Sequence, residues 1–409
     1  MATLTSVITG SLKAQGLRAG CPPLSFNLRQ EDHSVSFISH PFNASVRGRR
    51  ALERATGHSV TTSGRRSLIV CRVVGAPLRF SSPSPVGLWY GKKSSSSLSP
   101  TTDQLIKLYK DNNIQKMWLC CDTPHDAQDI VENISSDGEA NIQVVLYIPT
   151  PEVRKIAETP VPPAANEWIQ LIANYQSVIN YVCLGDVDQM NTNDITMIGT
   201  AMDRIPSTSK VSTMLDVNII LGSYDPKKCP STYRFLDKFN KLLREVFNRL
   251  AGTSAPLFVK IFPYFAIPDN IDEESIGLDN YLLEKLARPY MPCDQLKYKY
   301  VFDAMVDSIS CAIDAMHFSN VDISVVSGWP TAGSKKEATI ENAQKYNKNL
   351  LRYVKEAEAT PRKTKCIDHF IFSMVDEEQL PPDSFDWSHF GTFTLSWNNK
   401  TFPRTQMDC

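Results

Sequence analysis

From Val86 onward the chain alternates short apolar, β-branched runs with amphipathic helical segments. Such apolar runs are typical of parallel strands buried on both faces, each followed by a helix that returns the chain to the same sheet edge. The predicted strands are Val86–Tyr90, Lys116–Leu119, Ile142–Ile148, Tyr181–Leu184, Lys210–Leu215, Leu257–Phe262, Ile323–Ser327 and Phe370–Met374. Eight strands in this alternation predict an α/β fold, a closed (β/α)₈ TIM barrel.

Helical periodicity fills the segments between these strands. Thr101 and Gln104 have the spacing of a capping box, which predicts that the first helix begins at Thr102. The predicted helices are Thr102–Asn112, Asp126–Asn133, Glu167–Tyr175, Thr192–Arg204, Thr232–Leu250, Phe302–His317 and Ala338–Glu356. Neither an internal repeat nor a second folded domain is predicted.

The first 71 residues differ in composition from the rest of the chain. Residues 1–70 contain the acids Glu31, Asp32 and Glu53 against nine Lys and Arg, are rich in Ser and Thr, and have no secretory apolar core. This pattern predicts a chloroplast transit peptide over 1–71, then a linker over 72–85 and the barrel domain over 86–409. A basic tail without a targeting role, or secretion of the protein, remain the alternatives.

Overall composition excludes several classes of partner. The 409 residues are 42% hydrophobic and 21% charged, and their net charge of −1 argues against broad binding to nucleic acid or anionic membranes. No apolar run approaches the ~20 residues of a membrane-spanning helix. The cysteines are scattered without a disulfide framework or metal-ligand spacing, and Cys120 and Cys121 are expected to be buried. We therefore expect a monomer without metal or cofactor.

One motif indicates a family. Val326 and Ser327 precede Gly328, Trp329 and Pro330, and this stretch resembles the nucleophile motif of glycoside hydrolase family 17, the plant β-1,3-glucanases. In that motif a glutamate lies two residues before the glycine, where this chain has Val326. Collinear segments that resemble other family motifs extend from about Val86 to Phe393, among them Val86–Gly91, Lys210–Thr213, Ala255–Phe265, Phe302–Asp307, Tyr346–Leu350 and Phe372–Glu377. The resemblance implies a (β/α)₈ barrel with a carbohydrate cleft.

The position of the family's general acid is also changed. The fourth strand in the family ends in Val-Gly-Asn-Glu-Val, whereas this chain has Gly185, Asp186, Val187 and Asp188 there, so that Val187 occupies the acid position. Retaining glycosidases need two carboxyl groups about 5–5.5 Å apart. Hydrolysis of glucan is therefore predicted to be lost, with residual glucanase activity through Asp186 or Asp188 as a remaining alternative.

Supporting positions differ from the family as well. Lys260 and Phe262 replace an asparagine and a tyrosine of the sixth strand, Glu377 is retained, Leu380 replaces a lysine, and Trp387 replaces a glutamate. The candidate catalytic residues are Lys260, Glu377 and Asp186. The candidate ligand contacts are Tyr90, Phe262, Tyr264, Trp329 and Asp188.

Two interpretations of Lys260 remain open. In the first, Lys260 pairs with Asp186 or Glu377, and the barrel binds a carbohydrate or small metabolite without catalysis. In the second, an apolar cleft lowers the pKa of Lys260, and the protein is a repurposed isomerase, cyclase or lyase that acts on a small carbonyl compound.

Overall fold

The computed structural model describes residues 84–92, 99–191, 194–220, 224–271, 274–293, 295–362, 367–376 and 382–393. The predicted transit peptide and nearly all of the predicted linker lie outside these residues, and so do Glu377 and Leu380. The division of the chain into leader, linker and barrel therefore remains a prediction.

Eight parallel strands close into a barrel, which confirms the predicted fold class. The barrel strands are β1 (Gly87–Lys92), β2 (Lys116–Cys121), β3 (Gln143–Ile148), β4 (Ile179–Asp186), β5 (Lys210–Asp216), β6 (Leu257–Lys260), β9 (Ile323–Ser327) and β10 (Asp368–Ile371). Their order around the barrel is β1-β10-β9-β6-β5-β4-β3-β2, so the first strand pairs with the last. The register Gly87↔Phe370 marks this closure.

Helices surround the barrel and connect successive strands. They are α1 (Thr102–Asp111), α2 (Pro124–Ser136), α3 (Thr150–Ala157), α4 (Pro163–Asn174), α5 (Ile195–Arg204), α6 (Asp237–Leu250), α7 (Leu278–Tyr281), α8 (Val301–Ala315) and α9 (Ile340–Lys355). The predicted capping box is present, because the Gln104 N–H donates to the Thr101 hydroxyl and the Thr101 N–H donates to the Gln104 side chain. Sequence analysis missed α3, α7 and an antiparallel hairpin of β7 (Met291–Cys293) and β8 (Leu296–Tyr298).

The alternation of side chains along the strands divides the core into two layers. Leu88, Leu119 and Leu146 pack between the strands and the helices in the larger cluster. The barrel interior is filled mainly by aromatic side chains, with Trp118 stacked on Trp89 at 4.9 Å and edge-on to Phe258 at 4.7 Å. This filled interior makes the barrel a packed core rather than a channel. Any ligand must therefore bind at one end of it.

The sixth strand ends earlier than predicted. β6 stops at Lys260 instead of Phe262, because Pro263 begins a 3₁₀ turn that spans Pro263–Ala266. A proline has no N–H to continue a strand ladder. Phe262 therefore lies at the mouth of the barrel, beyond the last residue of β6.

The cysteines depart from expectation in one respect. Cys120 and Cys121 are both fully buried, as predicted, but Cys120 is disulfide-bonded, and Cys229 forms a disulfide with Cys293 across 64 residues of sequence. The pairing of Cys229 with Cys293 depends on contacts between distant loops, and the scattered spacing of the cysteines gave no sign of it. Among the residues that the structure describes, no helix is long and apolar enough to cross a bilayer.

Candidate functional site

Three neighbouring strands bring charged side chains together at the C-terminal mouth of the barrel. The last residues of β4, β5 and β6 are Asp186, Asp216 and Lys260. Asp216 is directly opposite Lys260 in the strand register, and Val326 of β9 is opposite Lys260 on its other side. Working residues of (β/α)₈ enzymes lie at the C-terminal ends of the strands. We call Asp186, Asp216 and Lys260, together with Asp188, the charged cluster.

A local irregularity turns Asp186 into the barrel. Between Cys183 and Asp186 the register with β5 slips, so that three steps along β4 match two along β5. Gly185 has a φ of +59°, and a Cβ there would lie 2.6 Å from the Thr150 hydroxyl. The Asp186 N–H donates to that same hydroxyl at 3.1 Å. A glycine is therefore required at this bend, which directs Asp186 inward beside Lys260.

The Lys260–Asp186 ion pair is almost completely buried. Lys260 Nζ lies 2.9 Å from Asp186 Oδ1, with side-chain exposures of 5% and 0%. The Tyr147 hydroxyl donates to the other carboxylate oxygen of Asp186 at 3.0 Å. This arrangement confirms the pairing of Lys260 with Asp186 that the first interpretation expected. It engages both oxygens of Asp186 within the protein.

Charges in the cluster change the proton affinity of each member. Burial lowers the pKa of Lys260, but the carboxylates of Asp186, Asp188 and Asp216 outweigh it and raise that pKa above its ordinary value. Burial raises the pKa of Asp186 to about 6, against the opposing effect of Lys260. Burial and then the charge of Asp188 raise the pKa of Asp216 to about 7. The expectation of a neutral Lys260 amine is therefore wrong, because three carboxylates stabilise its ammonium form.

The two valines predicted from the motifs to stand at the family's catalytic positions are buried in apolar surroundings. Val187 begins a 3₁₀ turn at the end of β4 and is fully buried in the larger core cluster. Val326 is 1% exposed and belongs to the interior cluster with Phe262 and Trp387. Neither side chain can carry charge or form a covalent intermediate.

Aromatic rings enclose the mouth beside Val326. Trp387 stacks on Phe390 at 5.4 Å, approaches Phe265 at 4.5 Å and lies edge-on to Phe262 at 5.0 Å, while Phe372 is 6.0 Å away. We call these five residues the aromatic cap. The neighbouring Asp386 anchors the segment that carries Trp387, because it accepts a hydrogen bond from the Ser334 hydroxyl at 2.6 Å. The structure thus brings together Phe262 and Trp387, two positions that are predicted from the sequence to depart from the family motifs.

The remaining sequence candidates lie in different surroundings. Tyr90 packs in the layer between strands and helices, on the opposite face of β1 from Trp89, and not beside the charged cluster. Tyr264 and Trp329 are buried against each other at 5.5 Å, and the Trp329 indole N–H donates to the Glu337 carbonyl. Asp188 is only partly buried, so it is the acid of the cluster most open to a ligand. Glu377 lies outside the described residues, and the ligand contacts remain predictions.

Sequence reasoning missed Asp216, Tyr147 and Thr150. Asp216 directly follows the predicted strand Lys210–Leu215, so the rule that sites lie at the C-terminal ends of barrel strands was sufficient to find it. Tyr147 and Thr150 gave no comparable signal, since their roles depend on where β3 ends relative to Asp186. No group of three or more His, Cys, Asp or Glu suited to hold a metal ion occurs among the residues described.

The protonation of Asp216 predicts how stability depends on pH. Its folded-state pKa of about 7 lies above the unfolded value of about 4. The folded state therefore binds more protons between these values, and the resulting stabilisation, complete below pH ~4, is lost as pH rises to ~7. Asp216→Asn should remove this loss. Between pH 5 and pH 8 the free energy of unfolding of the wild type should therefore fall by on the order of 2 kcal/mol more than that of the variant.

Urea unfolding followed by circular dichroism at each pH measures this difference. Asp103→Asn, which changes an exposed aspartate of α1, is the control and should keep the wild-type dependence on pH. If the free energy of unfolding depended on pH in the same way for the wild type and Asp216→Asn, Asp216 would be ionised throughout this range.

Comparison with known proteins identifies relatives for nearly the whole described region. The family model for glycosyl hydrolases family 17 matches residues 86–402. A glucan endo-1,3-beta-glucosidase of Vitis vinifera is 30% identical over 331 residues, covering 77% of this chain and 90% of the relative. Glucan endo-1,3-beta-glucosidase B of Solanum lycopersicum is 31% identical, covering 76% of this chain and 84% of its own.

Solved structures agree with this similarity. CJP38, a beta-1,3-glucanase and allergen of Cryptomeria japonica pollen, superimposes with a TM-score of 0.65 at 27% identity, covering 78% of this chain and 98% of its own. A plant beta-glucan endohydrolase superimposes with a TM-score of 0.62 at 26% identity, covering 76% of this chain and 96% of its own.

Proposed function

The chain belongs to glycosyl hydrolases family 17, and on that premise we propose that its barrel does not hydrolyse β-1,3-glucan but binds a carbohydrate or small metabolite at its mouth. The observation that supports this proposal is the burial of Val187 and Val326, the two valines that the motif resemblance assigns to the positions of the catalytic glutamates. Double displacement at an anomeric carbon needs one carboxylate as nucleophile and one carboxylic acid as proton donor. Valine supplies neither.

The nearby acids are poor substitutes for the lost pair. Asp186 is held by Lys260 at 2.9 Å and by Tyr147 at 3.0 Å, so neither oxygen is available to a leaving group. Asp216 accepts a hydrogen bond from the Asn218 N–H at 2.8 Å and is 7% exposed. On the side of Val326 the surroundings are the rings of the aromatic cap. A misplaced catalytic group costs ~10²-fold in rate, and a missing nucleophile costs more.

The mouth retains features suited to binding. Aromatic faces pack against the apolar faces of sugar rings and of other flat metabolites, while Asp188 offers a hydrogen-bond acceptor. We propose that the ligand binds at this mouth, beside the aromatic cap and Asp188. A monomer is sufficient for this role, since the residues that carry the argument come from one chain.

A repurposed enzyme is the second candidate, and the charged cluster is the observation that favours it. Lys260 remains an ammonium, and Asp186 and Asp216 titrate close to neutral pH. Such a set can polarise a carbonyl oxygen and exchange a proton with the adjacent carbon, as an isomerase or lyase requires. Schiff-base chemistry is disfavoured, because it needs the neutral amine. An unbiased metabolite-binding screen beside a soak with laminari-oligosaccharides separates this reading from carbohydrate binding.

Hydrolysis is tested with purified full-length protein and laminarin. We expect no reducing sugar above that of a heat-inactivated sample, because the carboxyl pair is missing. Val187→Glu combined with Val326→Glu is the matched variant that restores the pair at both positions. Turnover by the wild type would overturn the proposal and revive residual hydrolysis through Asp186 or Asp188. Binding of laminari-oligosaccharides to the wild type, measured by calorimetry, separates a glucan-binding barrel from one with a different ligand.

We also propose that the protein resides in the chloroplast, on the strength of the acid-poor, Arg- and Ser-rich segment over residues 1–71. A fusion of residues 1–80 to a fluorescent reporter should enter chloroplasts and be trimmed near Cys71. Replacing Arg47, Arg49 and Arg50 by glutamate in the same fusion should prevent import, since transit peptides are poor in acids. Delivery of the unmodified fusion to the secretory route would contradict the proposal.

A further inference from the structure

A disulfide joins the two loops that follow strands β5 and β6, which end in residues of the charged cluster. Cys229 lies in the connection between β5 and α6, and Cys293 is the last residue of β7 in the connection between β6 and α8. Their Cα atoms are 5.6 Å apart, within the usual range for a disulfide. Both connections leave the barrel at its C-terminal mouth, immediately after the strands that end in Asp216 and Lys260. The disulfide therefore ties together the loops beside the proposed binding site.

The hairpin at this junction has little regular secondary structure of its own. β7 and β8 pair over three residues each, and a two-stranded hairpin is marginally stable by itself. Cys293, Tyr298 and Ala304 form a buried cluster separate from both main core layers, with Tyr224, Cys229 and Tyr290 packed against it. Outside this cluster, the Asn280 amide donates to the Arg288 and Lys299 carbonyls and the Tyr298 hydroxyl donates to Asp307, while the disulfide is the covalent tie between the hairpin and the β5–α6 loop.

The two sulfurs differ in accessibility. Cys293 is 7% exposed, whereas Cys229 is only partly buried, with its sulfur 3.1 Å from the Ser231 hydroxyl. The free cysteines of the described residues are Cys121, Cys183 and Cys311, and all three are buried. Burial raises the pKa of Cys311 to about 11, so that it remains a thiol and a poor nucleophile at neutral pH. An external thiol at Cys229 is therefore the favoured route for exchange.

We propose that Cys229–Cys293 is a reversible redox modification site that controls local opening of the β7–β8 hairpin and the adjoining β5–α6 loop. A thiolate of an external dithiol attacks the Cys229 sulfur, the S–S bond breaks, and Cys293 leaves as a thiolate that takes up a proton. The second thiol of the reductant then displaces Cys229. The protein disulfide gains two electrons and two protons, and the dithiol becomes a disulfide.

Reduction should leave the barrel folded. All eight strands are hydrogen-bonded around a closed ring, and the interior cluster of the barrel takes no residue from the tied segments, although the larger cluster includes Tyr233, Phe235 and Ala287. The segments that lose their covalent tie are 224–236 and 286–293 with 295–299. Their opening exposes the side of the mouth that carries Asp216 and Lys260. The redox state thereby determines how far these loops order the site.

Hydrogen–deuterium exchange of the full-length protein tests the proposal, comparing oxidised protein with protein reduced by dithiothreitol. Amide protection in the two segments should fall by roughly tenfold or more on reduction, while protection in β3 and β9 changes little. Cys229→Ser should reproduce the reduced pattern without reductant, whereas Cys311→Ser, the control, should behave like the wild type in both states. Reoxidation of the reduced wild type should restore the original exchange.

Three outcomes would overturn the proposal. One is a mass spectrum of the unreduced protein in which Cys229 and Cys293 carry free thiols. Another is equal exchange of the two segments in the oxidised and reduced protein. The third is a uniform rise in exchange across the barrel strands, which would make the bond a global stabiliser and not a local control.

Discussion

The buried ion pair between Lys260 and Asp186 is the interaction on which the mouth of the barrel depends. A lysine without counter-charges in this apolar interior would lose its proton or destabilise the fold, because the charge is removed from water. Asp186 reaches Lys260 because Gly185 and the register slip in β4 turn it inward. Tyr147 and Thr150 then hold the carboxylate and its backbone N–H in position.

This ion pair and the aromatic cap together account for the proposed loss of hydrolysis. A glycosidase keeps two carboxyl groups free for the substrate, whereas here the best-placed carboxylate serves a lysine. Val326 lies between Lys260 of the adjacent strand and the rings around Trp387, where an ionised glutamate would meet apolar side chains on one side. The substitutions at Val326, Lys260, Phe262 and Trp387 are therefore mutually consistent. In the proposed account, they give a half-apolar mouth that carries an internally paired charge.

Sequence reasoning succeeded where one local pattern determines the outcome. The eight strands follow from apolar runs such as Val144–Ile148, and the start of α1 follows from Thr101 and Gln104. It failed where the outcome depends on neighbours in space. The pKa of Lys260 is raised by three carboxylates, those of Asp186 in β4, Asp188 in the turn after β4 and Asp216 in β5. Asp216 was not among the candidate residues. The Cys229–Cys293 disulfide joins residues whose proximity is created by two long loops. The packing of Tyr90 in the layer between strands and helices likewise had no signal in the sequence, since a motif match does not show which face of the strand points inward.

A double-mutant cycle on Lys260 and Asp186 tests the central claim most directly. Lys260→Met alone should cost about 3–5 kcal/mol in unfolding free energy at pH 8, because it leaves Asp186 buried without its counter-charge. Asp186→Asn in the same chain should recover much of that loss, giving a coupling energy of roughly 1–3 kcal/mol between the two sites. Additive effects of the two substitutions, with a coupling energy near zero, would contradict the account and leave Lys260 available for a ligand.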